Sequence, residues 1–191
     1  MQQENIPLFP LSAHLLSGGR MSLRIFEPRY TRMVKEVCAK GTGFVLCMLN
    51  AHGDKEKNEH ILPIGTYAEV IDFDMLEDGL LGIKVAGRYG VEITDIRTEA
   101  DGLRVGTCKT LEPWCCDISS EQIAPMDERL KEIFERYSDI GALYDNPQFN
   151  DPLWVLHRWL ELLPVDAKQK QHFLLQKDCK KLLNYLAALV E

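Results

Sequence analysis

The residues able to do chemistry are scattered along the chain. Five histidines, at positions 14, 52, 60, 157 and 172, never stand four apart on a helical segment, and six cysteines, at 38, 47, 108, 115, 116 and 179, never fall in a Cys-x-x-Cys pair. Zinc needs three or four converging ligands, and no local stretch supplies them. Asp72 and Asp74 look like the start of a calcium loop, but Leu76 stands where the next ligand belongs, so the segment reads as the polar face of a strand. The chain has no phosphate-binding glycine loop, no Gly-x-Ser-x-Gly elbow and no His-Glu-x-x-His pair. One nucleophilic arrangement stays open: Cys115 or Cys116, with His157 from a later helix as its base, because such partners meet in space rather than in sequence. Against it, a free cysteine usually acts as a small buried hydrophobe, and a lone histidine on an amphipathic helix is usually structural. No cofactor and no metal are implied.

Composition narrows the partners. The 191 residues are 46% hydrophobic and 27% charged, which is ordinary for a globular chain long enough to bury its own core. The 22 Lys and Arg against 29 Asp and Glu leave a net charge of −7, with no basic surplus on either side of residue 117. A nucleic-acid partner is therefore not expected. No apolar run approaches the roughly 18 residues of a membrane span, so no membrane partner is expected either. Met1-Gln2-Gln3-Glu4-Asn5 lacks the basic start of a secretory signal, and the reading is a cytoplasmic protein with reduced thiols. Nothing in the sequence specifies self-association.

Two regimes of periodicity position these residues. Up to about residue 113, short apolar runs are punctuated by Gly and Pro. Ile83, Val85, Tyr89, Val91 and Ile93 alternate with Lys84, Arg88 and Glu92, a strand whose Gly87 and Gly90 predict a bend or bulge. Ile71, Phe73 and Met75 alternate with Asp72 and Asp74, and Asp78-Gly79 joins the two runs as a hairpin. Residues 44–49 and 103–111 supply further strands, and 50–59 reads as a solvated loop. One helix interrupts them: Pro28 suits its first position, Tyr30, Met33, Val34 and Val37 share a face, and Gly41 stops it. After Pro113 the period becomes 3.6. Ser119 with Gln122 forms a capping box, Asp151 and Asp166 are N-caps, and Leu182, Leu183 and Leu186 line the last helix. The expected fold class is α+β, with a curled β domain carrying one inserted helix over 1–117 and a C-terminal helical bundle over 118–191.

The N-terminal segments carry more than periodicity. Ile6-Pro7-Leu8-Phe9-Pro10-Leu11, then Leu23-Arg24-Ile25-Phe26-Glu27-Pro28-Arg29-Tyr30 running into a helix, closely resemble the signature of the Lon N-terminal (substrate-binding) domain family. Gly65-Thr66-Tyr67-Ala68-Glu69-Val70 and Val85-Ala86-Gly87-Arg88 are similar to later family segments, and the resemblance extends to the closing helices. The departure is Leu15-Leu16-Ser17-Gly18-Gly19, where the family has a Phe-Pro-Gly turn; Ser-Gly-Gly also suits a turn. The resemblance implies that the β domain is a PUA-like curled barrel. It further implies a non-catalytic role in binding unfolded or degron-bearing polypeptides, in the manner of a stand-alone Lon N-domain protein without the ATPase and Ser–Lys protease domains. An RNA-associated role, by analogy with other PUA-like folds, is the alternative, and the acidic charge balance opposes it.

For the segment around Phe26 there are two readings. In the structural one, Ile25 and Phe26 anchor the strand while Arg24, Glu27 and Arg29 pair at a tight strand-to-helix corner. In the functional one, Phe9, Pro10, Arg24, Phe26, Glu27, Arg29 and Tyr30 line a groove for polypeptide, with Trp114 and Trp154, expected near the β/α junction, contributing.

Overall fold

The computed structural model describes residues 2–115 and 117–190. The chain forms two compact units, Met1–Leu111 and Glu112–Glu191. In the first, the apolar runs become strands β1 (Gln2–Leu11), β2 (Arg20–Ile25), β3 (Phe44–Leu49), β4 (Ile61–Met75), β5 (Leu81–Thr98) and β6 (Arg104–Thr110), with helix α1 (Pro28–Lys40) between β2 and β3. The sheet order is β2-β5-β4-β3-β1-β6, and β5 pairs again with β6. β1 and β3 run parallel, and the other pairs are antiparallel.

The expectation of a barrel is corrected here. Strands β5, β4, β3, β1 and β6 form a ring through the β5–β6 pairing, but among the described strands β2 pairs with β5 alone and lies outside that ring, so the six-stranded sheet as a whole is not a closed barrel. The cause is the length of β5. Its 18 residues serve β2 over positions 81–86 and β6 over positions 91–98, with β4 alongside.

The bend anticipated at Gly87 is a register shift. Tyr67 pairs with Tyr89 and Ala68 with Gly87, which leaves Arg88 as an extra residue. One extra residue reverses the face that a given parity serves. Ile83 and Val85 therefore pack in one core and Val91 and Ile93 in another, although all four alternate in step. These cores lie on opposite faces of the sheet: β1 gives Phe9 to the first and Leu8 to the second, and β3 gives Phe44 and Leu46 to the first and Val45 and Cys47 to the second. That double burial is why β3 reads as an unbroken apolar run.

Helix α1 covers the first face with the stripe read from the sequence, burying Tyr30, Met33, Val34 and Val37, and it ends at Gly41 in the left-handed region. The Ser17-Gly18-Gly19 departure does form a turn. Gly19 N–H donates to the Leu16 carbonyl at 3.0 Å, with Gly18 at φ 75°. Ile71, Phe73 and Met75 alternate as expected but are exposed, since this end of the β4–β5 hairpin lies beyond the cores.

The second unit holds α2 (Ser120–Arg136), α3 (Ser138–Gly141), α4 (Pro152–Leu162), α5 (Ala167–Leu174) and α6 (Lys180–Val190). The Ser119–Gln122 capping box and the Asp151 and Asp166 caps are all present. The expected bundle is corrected to a set of unequal helices gathered on α2, which meets α3, α4 and α6; α3 is a single turn and α5 has eight residues. The expectation of six reduced thiols also changes: Cys179 is disulfide-bonded, while Cys38, Cys47, Cys108 and Cys115 are free. No helix among the described residues is long and apolar enough to cross a membrane.

Candidate functional site

The corner between β2 and α1 builds the site. Ile25 is buried and closes β2, while the next residue, Phe26, is 70% exposed. The expectation that Phe26 anchors the strand is therefore corrected: Ile25 does so alone. Glu27 occupies the N-cap in an extended conformation without a side-chain cap, and its carbonyl receives the Tyr30 and Thr31 amides at 3.0 and 3.1 Å. This leaves the Glu27 carboxylate free to meet Arg29 Nη2 at 2.7 Å. The Arg29 guanidinium lies 4.7 Å over the Tyr30 ring, and that ring packs on Phe9 with centroids 4.1 Å apart. Burial raises the Tyr30 phenol above its ordinary range, with the Arg29 charge opposing. Arg24, on the exposed side of β2, pairs with Asp78 of the hairpin turn rather than with Glu27.

These groups border a cavity of about 350 Å³ in the first unit. Its lining includes Phe9, Pro10, Arg24, Phe26, Glu27, Arg29 and Tyr30, all seven of the residues proposed from this part of the sequence. Leu11, Leu23, Ile25 and Leu49 add apolar wall.

Three further lining residues, Lys55, His60 and Arg104, are new. Lys55 comes from the 50–59 segment, read as a solvated loop, His60 follows that segment just before β4, and Arg104 starts β6. Arg104 ties them together: Nε donates to Asn58 Oδ1 at 3.2 Å, Nη2 to the Lys55 carbonyl at 3.3 Å and Nη1 to the Gly102 carbonyl at 2.8 Å. Their only sequence signal was charge beside a turn-rich segment, which does not say where that segment folds back.

Trp114 and Trp154 lie in the second unit, both buried. Trp114 stacks on His157 at 4.7 Å and 7°. Trp154 packs edge-on against Phe134, Tyr144 and Phe149, with the Arg158 guanidinium over its ring. Trp159 donates its indole N–H to the Met126 carbonyl at 3.0 Å. His157, the base of the cysteine arrangement, is pushed down to about 4 by burial first and the Arg158 charge second. Cys115 is exposed, and Cys116 lies outside the described residues. Among the described residues no group of three His, Cys, Asp or Glu could hold a metal ion.

A model of the ATP-dependent protease La (LON) substrate-binding domain matches residues 5–191. The chain belongs to this family. Among solved structures, a Lon N-terminal domain protein from Xanthomonas campestris is similar with 28% identity and a TM-score of 0.69 over 96% of this chain and 97% of that one. The N-terminal domain of a Mycobacterium avium complex Lon protease shares the fold at 12% identity, with a TM-score of 0.65 over 98% of both chains. Protein cereblon of Danio rerio is 31% identical over 106 residues, which are 53% of this chain and 24% of that protein. This chain thus matches about a quarter of that relative's length. Of the segments that carried the resemblance, the two N-terminal ones supply cavity wall from within residues 9–11 and 23–30, while residues 65–70 and 85–88 do not line it.

Proposed function

We propose that this Lon substrate-binding domain is a non-catalytic recognition module for unfolded or degron-bearing polypeptide, and that the β1/β2–α1 pocket is its binding site. One observation carries the reading: seven side chains singled out from the sequence converge on one cavity, with the Phe26 ring 70% exposed beside it. Aromatic anchors beside a few charged groups suit peptide capture. Ordering a disordered segment offsets much of the contact energy, so affinity is on the order of micromolar or weaker. Trp114 and Trp154 act in this reading as packing residues of the second unit.

The test is a titration with labelled unfolded casein or an apolar peptide, with and without ATP, followed by analysis of the peptide. Binding that ignores ATP and leaves the peptide intact supports the proposal. Cleavage, or binding that requires ATP, contradicts it.

A further inference from the structure

We infer that the cationic side of this pocket, formed by Arg29, Arg104 and Lys55, is a carboxylate site, and that its occupant is the C-terminal carboxylate of a bound polypeptide. The inference rests on the reading of the pocket as a polypeptide site and names the chemistry it selects.

Two guanidinium groups meet at one neutral oxygen. Arg29 Nη1 donates to the Gly102 carbonyl at 2.9 Å and Arg104 Nη1 to the same oxygen at 2.8 Å. A carbonyl holds such groups together without cancelling their repulsion. Glu27 answers Arg29 and Asp78 answers Arg24, but the acceptors of Arg104 are an amide and two carbonyls. Among the described residues, neither Arg104 nor Lys55 has an ion pair. The chain's net charge is −7, yet this cavity carries Arg24, Arg29, Lys55 and Arg104 against Glu27.

The same wall holds two buried nitrogens without a hydrogen-bond partner, Arg29 Nε and His60 Nδ1, and His60 is only 7% exposed. Orphaned buried polar atoms are uncommon and call for a ligand group. His60 also registers the surrounding charge: burial first, then Arg104, Lys55 and Arg29, hold it below its ordinary range, against a hydrogen bond with the Asp54 backbone. A planar anion with two oxygens matches the guanidinium fork and supplies the acceptor that Arg29 Nε lacks. The remaining walls, Phe9, Leu11, Leu23 and Tyr30, are apolar. The last residue of an apolar peptide offers both features, a side chain for the walls and a carboxylate for the cations.

The test compares one N-terminally labelled apolar peptide in three forms: a free C-terminal acid, its amide, and the amide with an internal Glu. The free acid is expected to bind roughly tenfold more tightly than the amide, as a charge-assisted contact implies, and Arg104→Gln is expected to erase the difference. The comparison varies the peptide, so it holds even where Arg104→Gln unfolds the loop; Lys55→Gln, on an exposed stem, is the second variant and should shrink the ratio. Equal binding of acid and amide overturns the carboxylate site and leaves polypeptide recognition standing. An internal Glu that fully replaces the terminal acid overturns the terminal assignment. No binding of any form overturns both readings, as does tighter binding of a single-stranded oligoribonucleotide than of the free acid.

Discussion

Phe26 is the residue at which stability and recognition separate. Its neighbour Ile25 is buried, and its own ring is out in solvent beside the pocket. Phe26→Ala should leave the melting curve almost unmoved, within about 0.5 kcal/mol, as for surface substitutions that remove no core contact. The same variant should weaken peptide binding by about 1 kcal/mol or more, roughly fivefold, measured by fluorescence anisotropy. Met33, on the buried face of α1 at 1% exposure, is the opposite case: Met33→Ala should lose about 2–5 kcal/mol in denaturant melts. The chemistry of Arg24, Glu27 and Arg29 was legible as a set of pairing groups, but the pairs were not. Arg29 takes Glu27, whereas Arg24 takes a residue 54 positions away. Lys55, His60 and Arg104 escaped notice for the same reason: contacts spanning 46 and 49 positions are fixed by how the sheet folds back, which local pattern does not record.

The elements most open to reading were those defined by their own sequence. Helix α1 shows its apolar stripe, its Pro28 start and its Gly41 stop locally, and β3 shows its double burial as an unbroken run. The bulge at Arg88 was signalled by glycine, but its consequence, the switch of β5 from one core to the other, depends on the partner strand. Gly87 itself is bound to the Gly18–Gly19 turn, with Gly18 N–H donating to its carbonyl at 2.9 Å and its own N–H donating to Gly19 at 3.0 Å. A Cβ there would stand 2.3 Å from the Leu16 carbonyl oxygen, so Gly87→Ala should destabilise by about 2 kcal/mol or more, read from the urea midpoint. In α4, His157 lies against Trp114 with its folded value near 4, below the ordinary value of 6.5. The unfolded chain then binds the extra proton, so this residue's contribution is complete above about pH 6.5 and is lost as pH falls toward 4. The loss should be on the order of 3 kcal/mol, and His157→Phe should flatten that part of the pH–stability curve.

At the scale of the whole molecule, the change of period near residue 113 separates strands from helices, and along the chain the two compact units divide between Leu111 and Glu112. The path of the sheet was not legible, because a curled sheet and a closed barrel share the same alternation; the 18 residues of β5 pair with β6 at one end, within the ring, and with β2 at the other, outside it. The helical region gave its caps but not its unequal helix lengths, since Ser138–Gly141 carries no apolar stripe to announce a helix. What the two units contribute to recognition is therefore a question of where a polypeptide lands. Photo-crosslinking answers it most directly: an apolar peptide with a free C-terminus and a benzophenone side chain is irradiated with the whole protein, and the attachment sites are mapped by mass spectrometry. The account predicts attachment within residues 9–11 and 23–30, competed by unlabelled peptide and reduced in Phe26→Ala. Competed attachment confined to residues 112–190 would contradict it.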